Sequence, residues 1–495
     1  MLDQYRIDFA EFNVASAREY YLFLSGQKST LEIAPIYERY GHLFERDLLD
    51  SLKNELCNSS ARLETERVSI QRLFTFAAEQ FLENSVKQLT EQIGEYEASA
   101  IVEWGGRQMT FQDSTVAITT EGDREARRGI YAARLDVIEA SNTLRAERLL
   151  KLHETARALE YSSYVDLFEQ LRRLDYSAIA GDARSLLPNT ESVYVTRLHE
   201  TLMRDLGVGV DRAERPDALF LLHLTHFDDR FPAGHMLRVY RETMAGLGIR
   251  TELQHNIDID NEPRPRKNPR AFCMPISIPG DIKLVIRPAG GQADYQAFLH
   301  ESGHAQQYGW ASAELPPEFR YTGDYALTET YAFLFNHLIS DRDWLAVFLG
   351  LKDNADFVRS VMLARLVTVR RYVAKLIYET ELHLDEDLER SSQLYARLQT
   401  NATDFKTEPG EFLFDLDDSF YSASYLRAWA FEVSLRDYLK TRFGARWWAS
   451  RRAGDFLKEI WETGDRYTAD EMAEQIGIGP ITFDPLIKEF NAALK

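Results

Sequence analysis

Cysteine is scarce in this sequence, which has only Cys57 and Cys273 among its 495 residues. With only two cysteines, far apart in sequence, we expect reduced thiols rather than a disulfide framework. No apolar run reaches the roughly 18 residues that a membrane-spanning helix needs. Residues 1–6 also lack the basic stretch and apolar core of a secretory signal. The sequence therefore predicts a cytoplasmic protein with no membrane partner.

Basic residues are fewer than acidic ones in this sequence. The 58 lysines and arginines face 78 aspartates and glutamates, for a net charge of −20. This balance argues against nucleic acid and anionic membranes as partners, and it mildly favours basic peptides. Because no Ser/Gly-rich linker interrupts the chain, we expect one unit over residues 1–495. Within it, the pattern predicts an N-terminal helical lobe, 1–255, and a catalytic lobe, 256–495.

Helical periodicity dominates the first half, for example at Ile70, Leu73, Phe74 and Ala77. Two stretches are instead typical of strands. Residues 100–111 place a Gly-Gly turn between β-prone runs, and residues 271–288 place a Pro-Gly-Asp turn between two more. The sequence predicts a mainly α protein with a small β-sheet directly before the motif described next.

That motif is His300-Glu301-Ser302-Gly303-His304. Two histidines four apart on a helix present both imidazoles on one face at zinc-ligand spacing, with a glutamate between them. The residues on both sides continue a helical pattern without proline. A catalytic zinc needs a third protein ligand, and Glu329 is the best candidate because a carboxylate among Leu327, Tyr331 and Phe333 is costly to bury unless it is paired or binds metal.

Residues 294–304, followed by Glu329, resemble the thimet oligopeptidase and oligoendopeptidase F family of zinc peptidases, with angiotensin-converting enzyme as a distant relative. The resemblance covers about residues 270–345. It implies a large two-lobed helical peptidase with a deep central channel that admits short unfolded peptides. It also implies one Zn²⁺ per chain held by His300, His304 and Glu329, with Glu301 as the general base.

The family also carries a late tyrosine-rich segment, and residues 420–429 look like its counterpart. The resemblance implies that Tyr425 or Tyr421 supplies a hydroxyl to the scissile carbonyl. The match is partial: Ala428 stands where relatives have a further tyrosine, and the family's histidine just upstream is absent from residues 416–419. A spacing of four is also what a packing face gives, so a purely structural role for both tyrosines stays open.

The function predicted from these residues is zinc-dependent hydrolysis of peptide bonds in short peptides. Two alternatives stay open. One is a peptidase that trims peptide C-termini, which differs in substrate rather than in chemistry. The other is a catalytically weak binding protein that keeps the peptidase fold, an alternative that rests on Ala428 and the absent histidine.

Overall fold

The computed structural model describes residues 2–58, 64–385 and 387–495. Most of them lie in helices. In chain order these are α1 (Leu2–Leu24), α2 (Ala34–Arg39), α3 (Arg46–Cys57), α4 (Glu64–Ser99), α5 (Phe111–Thr120), α6 (Arg124–Ala158), α7 (Tyr164–Arg172), α8 (Tyr176–Arg184), α9 (Leu186–Leu206), α10 (Arg215–His223), α11 (Met236–Gly246), α12 (Gln292–Trp310), α13 (Glu318–Tyr321), α14 (Tyr325–Asn336), α15 (Arg342–Phe348), α16 (Ala355–Leu384), α17 (Leu388–Thr403), α18 (Tyr421–Phe443), α19 (Arg451–Trp461), α20 (Ala469–Gln475) and α21 (Asp484–Ala493). In the described ranges no helix is both long and apolar enough to cross a bilayer.

Five short strands form two small sheets in the described part of the chain. They are β1 (Ile101–Trp104), β2 (Arg107–Thr110), β3 (Ile257–Asp260), β4 (Phe272–Ser277) and β5 (Asp281–Val285). β1 and β2 form the predicted hairpin, with Gly105 and Gly106 at positive φ in its turn. β4 and β5 form the second predicted antiparallel pair, and β3 adds to β5 in parallel. The mainly α class and the small sheet ahead of the motif are thus confirmed.

The chain divides into two compact units, each built from three segments. Unit 1 contains residues 1–81, 226–358 and 427–482, and unit 2 contains 82–225, 359–426 and 483–495. Each unit takes residues from both sides of position 255, the predicted boundary between the two lobes. β3 begins just after that position, at Ile257.

Unit 1 holds the three-stranded sheet and the helix that carries the motif. The strand order is β3-β5-β4, so β4 is an edge strand. One face of the sheet is covered by α1, where Tyr21 packs with Ile276 and Val285. α12 contacts all three strands and packs most extensively on α14. The sheet, α12 and α14 are therefore the elements that position the candidate site.

Unit 2 is built around the long helix α6, whose first turn is capped by Asp123. The β1–β2 hairpin and α5 pack on α6 through Val102, Phe111 and Ile138. A second cluster joins α6 to α16 and α17 through apolar and aromatic side chains, which are Leu149, Tyr378, Leu382, Tyr395 and Leu413. The start of α18, with the tyrosine-rich segment, belongs to this unit up to Leu426.

Candidate metal centre

Helix α12 begins at a turn that only glycine adopts readily. Gly290 and Gly291 have φ values of +91° and +90°. A Cβ on Gly291 would lie 2.6 Å from Asp228 Oδ1, and that same oxygen accepts the N–H of Gln292 at 3.0 Å. Asp228 thus satisfies one of the unpaired amides at the start of the helix. This turn sets the direction in which α12 leaves the sheet.

Helix α14 is fixed at its start by a buried ion pair. The side chain of Asp324 caps the helix by accepting the N–H of Ala326 at 3.0 Å. Both oxygens of Asp324 also meet the Arg427 guanidinium, each at 3.0 Å. Burial raises the pKa of Asp324, but Arg427 outweighs burial and lowers that pKa to about 2. The charged pair holds the first turn of α14, one turn before Glu329.

The two helices approach closely because Gly303 has no side chain. A Cβ at this position would lie 2.6 Å from the Ala332 Cα and 2.6 Å from the Tyr331 carbonyl oxygen. Such distances are shorter than packed atoms tolerate, so a larger residue would force the helices apart. Gly303 therefore lets the two helices pack closely enough for His300 and His304 to face Glu329.

The structure brings the three predicted ligands together. His300 Nε2 lies 3.3 Å from Glu329 Oε2, and His304 Nε2 lies 3.7 Å from Glu329 Oε1. One possible ligand atom from each residue lies within 4.8 Å of the other two. Among the described residues, this group of three has the composition and spacing to hold a metal ion. Two ligands about 2.1 Å from a tetrahedral ion lie about 3.4 Å apart, so the spacing suits a small tetrahedral cation.

The electrostatics of the three side chains also fit a cation. Burial lowers the pKa of His304 to about 4, which leaves a neutral imidazole able to coordinate a metal. Burial also lowers the pKa of His300, but the Glu329 carboxylate outweighs it and raises that pKa overall. Glu329 is only 4% exposed. A buried carboxylate that faces two imidazoles would be stabilised by a positive charge between them, such as that of a metal ion.

Glu301 is placed beside the ligands by the edge strand. Its Oε2 accepts the backbone N–H of Cys273, in β4, at 2.8 Å. Burial raises the pKa of Glu301 to about 7, although the His300 charge and the Cys273 amide oppose this rise. A carboxylate with a pKa near neutrality both accepts and donates a proton readily. The Cys273 amide is a contributor that the motif alone did not reveal, because it comes from a strand 28 residues away in sequence.

The tyrosines predicted to act in catalysis lie in unit 2, at the start of α18. The rings of Tyr421 and Tyr425 are 4.9 Å apart, and Tyr425 also meets Tyr372 at 5.3 Å, both edge to face. Tyr421 and Tyr425 are both partly exposed. Ala428, which belongs to unit 1, is fully buried, with its carbonyl oxygen 3.5 Å from the Thr330 hydroxyl. A catalytic role for Tyr421 and Tyr425 stays a prediction.

Arg427 has a structural partner in this chain. The Arg427 side chain is buried and pairs with Asp324 and Asp470. Its contribution to the site is therefore to anchor α14. Sequence spacing gave no signal for this pair, because its members are 103 residues apart.

Comparison with solved structures identifies the fold. A protein assigned as oligoendopeptidase F from Bacillus anthracis str. Ames matches with a TM-score of 0.65 and 16% identity, over 96% of this chain and 84% of that one. PZ peptidase A, solved with an inhibitor, matches with a TM-score of 0.68 and 16% identity, over 94% and 84%. A further structure assigned as oligoendopeptidase F gives 0.65 and 17%, over 94% and 84%.

No protein-family model matches the sequence, and no curated protein matches it either. At 16–17% identity the structural likeness establishes the fold, which is that of oligoendopeptidase F and PZ peptidase A. The resemblance inferred from residues 294–304 and Glu329 is confirmed at this level. The activity of this chain rests on its own site residues.

Proposed function

We propose that this chain is a zinc-dependent oligopeptidase of the oligoendopeptidase F type, which hydrolyses peptide bonds in short peptides. The observation that carries the proposal is the convergence of His300, His304 and Glu329 with Glu301 beside them. Two imidazoles and one carboxylate are a donor set typical of catalytic zinc, because they leave a fourth position open. The fold shared with known peptidases supports the same reaction class.

Bound zinc would polarise the scissile carbonyl and lower the pKa of the attacking water. Glu301 then acts as general base. Its Oε2 is held by the Cys273 amide, and in the described chain no other group donates a hydrogen bond to its Oε1, so Oε1 is the atom that takes the proton. The same oxygen returns the proton to the leaving amine.

The edge strand β4 supports a peptide substrate. β4 pairs with β5 on one side, and its Cys273 amide contacts the general base. A peptide that adds to this edge as a further strand would be held mainly through backbone carbonyl oxygens of β4, because the Cys273 N–H is bonded to Glu301 and Pro275 has no N–H. β4 would thereby align a scissile bond with Glu301 and the three ligands.

A digest of a random pool of short peptides tests the proposed function. We expect the zinc-loaded protein to cleave members of the pool, a chelator to stop cleavage, and added zinc to restore it. Mass spectrometry of the products also separates internal cleavage from trimming at C-termini. A fully zinc-loaded protein that leaves the whole pool intact would favour the binding-protein alternative.

The oxyanion donor is tested by changing Tyr425 and Tyr421 separately to phenylalanine, which removes the hydroxyl and keeps the ring. If one of them stabilises the transition state, kcat and kcat/KM fall together by about 10²-fold or more. A substrate-holding role would mainly raise KM. Tyr438→Phe is the matched control, because Tyr438 lies on the same helix and its hydroxyl contacts Arg442. Unchanged kinetics in both variants would mean that both tyrosines only pack.

A further inference from the structure

A cavity of about 160 Å³ in unit 1 is lined by neighbours of the candidate ligands rather than by the ligands themselves. Tyr308 and Thr328 line it. The Tyr308 ring is nearly parallel to the His304 ring, with their centroids 6.2 Å apart, and Thr328 immediately precedes Glu329. Met274 and Pro275 of the edge strand line it as well. A peptide lying along β4 beside the ligands would therefore pass this cavity and could place a polar group in it.

Arg320 is the permanent charge in the wall of the cavity. Its Nη1 donates to the Ile278 carbonyl oxygen at 2.7 Å, while its Nε is buried and meets no acceptor in the described residues. In the same residues no carboxylate forms an ion pair with it. An arginine cannot lose its proton, so burial does not remove its charge. The buried Nε is closed to a ligand, but the Nη end of the guanidinium has no carboxylate partner in the described chain and is left for an anion from outside.

Asp465 is the other charged group in the wall, and unlike Arg320 it can lose its charge. Its Oδ1 accepts the Gln307 amide at 2.9 Å. Burial raises the pKa of Asp465 to about 7, so this carboxyl group can become neutral by binding a proton. A protonated aspartate needs no charged partner, whereas an arginine that stays charged is stabilised by an anion. Arg320 is therefore the stronger determinant of what the cavity binds.

We propose that this cavity is a substrate subsite in which Arg320 binds a carboxylate of the peptide. The inference rests on the proposed peptidase function and adds the chemistry that the site selects. Arginine is well suited to the task because its planar fork matches the two oxygens of a carboxylate. Two parts of a peptide carry this group: the free C-terminus, and the side chain of aspartate or glutamate near the scissile bond.

Matched peptides separate these two sources. One set compares a free C-terminal carboxylate with a C-terminal amide, and another compares glutamate with glutamine at each position near the cleaved bond. The preferred carboxylate should raise kcat/KM of the wild-type protein at least about tenfold, which is typical of a hydrogen-bonded charged group. Preference for the C-terminal carboxylate would identify a trimming enzyme. Preference for glutamate would identify a side-chain subsite.

Arg320→Gln should remove this preference, mainly by raising KM for the carboxylate peptide at least about tenfold. Cleavage of the amide or glutamine peptide should stay within about threefold of wild type. Arg320→Lys should restore part of the preference, because it keeps the charge without the fork. Arg250→Gln is the control for loss of one positive charge, since Arg250 is exposed and also belongs to unit 1.

Binding of the same peptides to the Glu301→Gln protein, measured by calorimetry, keeps the two proposals apart. If zinc-loaded wild type cleaves nothing, the peptidase function fails, and the binding data still decide the role of Arg320. Equal affinity for carboxylate and amide forms, or a preference that survives Arg320→Gln, would overturn the proposal. So would a preference for lysine peptides that Asp465→Asn abolishes. A thermal unfolding midpoint near that of wild type in the Arg320→Lys protein confirms that the fold is kept.

Discussion

Replacing Glu301 by glutamine should lower kcat at least about a hundredfold while zinc stays bound. General-base catalysis typically contributes 10²–10⁴ in rate, and glutamine does not accept the proton that the reaction releases. The fold should be kept, because the glutamine side-chain oxygen can still accept the Cys273 N–H. Steady-state kinetics on any cleaved peptide, together with the zinc content of the same sample, check both parts.

Glu314→Gln is the control for this variant. Glu314 is an exposed glutamate of unit 1, so the same chemical change there should leave kcat near the wild-type value. If Glu301→Gln protein cleaved peptides as fast as wild type, Glu301 would not be the base. If instead the variant lost its zinc, its slow turnover would result from loss of the metal rather than from loss of the base.

Replacing Glu329 by glutamine should have the other large effect, which is loss of the metal and with it of hydrolysis. The change removes the one negative charge among the three donors and leaves two neutral imidazoles and an amide, a weaker ligand set for zinc. We expect zinc to fall from about one ion per chain toward zero after dialysis. Glu314→Gln, dialysed in parallel, should keep its zinc. Retention of a full complement by Glu329→Gln would show that the carboxylate is not a ligand.

The residues of the candidate centre could be predicted from the sequence because each signal is local. The spacing of His300 and His304 is a property of one helix. The burial of Glu329 followed from the apolar residues around it, and Asp324 marked the start of its helix. The signal for the two antiparallel strand pairs is equally local, because glycine and proline mark the turn that joins each pair. Strand β3, with only four residues, was missed because it forms by pairing in parallel with β5.

The rest of the site depends on contacts between distant parts of the chain. The Cys273 amide that holds Glu301 belongs to the backbone, which carries no sequence signature. The Asp324–Arg427 pair and the cavity that contains both Arg320 and Asp465 join residues more than 100 positions apart. The close approach of Gly303 to Ala332 likewise joins two separate helices, α12 and α14. Periodicity shows which residues are buried, but it does not show which residues meet.

Zinc-edge anomalous diffraction from crystals of the zinc-loaded protein tests the central claim most directly. The account predicts one strong anomalous peak per chain, about 2.0–2.2 Å from His300 Nε2, His304 Nε2 and a Glu329 carboxylate oxygen. Glu301 should lie close by without coordinating the ion. The absence of a peak among these three side chains in a protein that contains zinc would contradict the account, as would a fourth protein ligand that closes the open position.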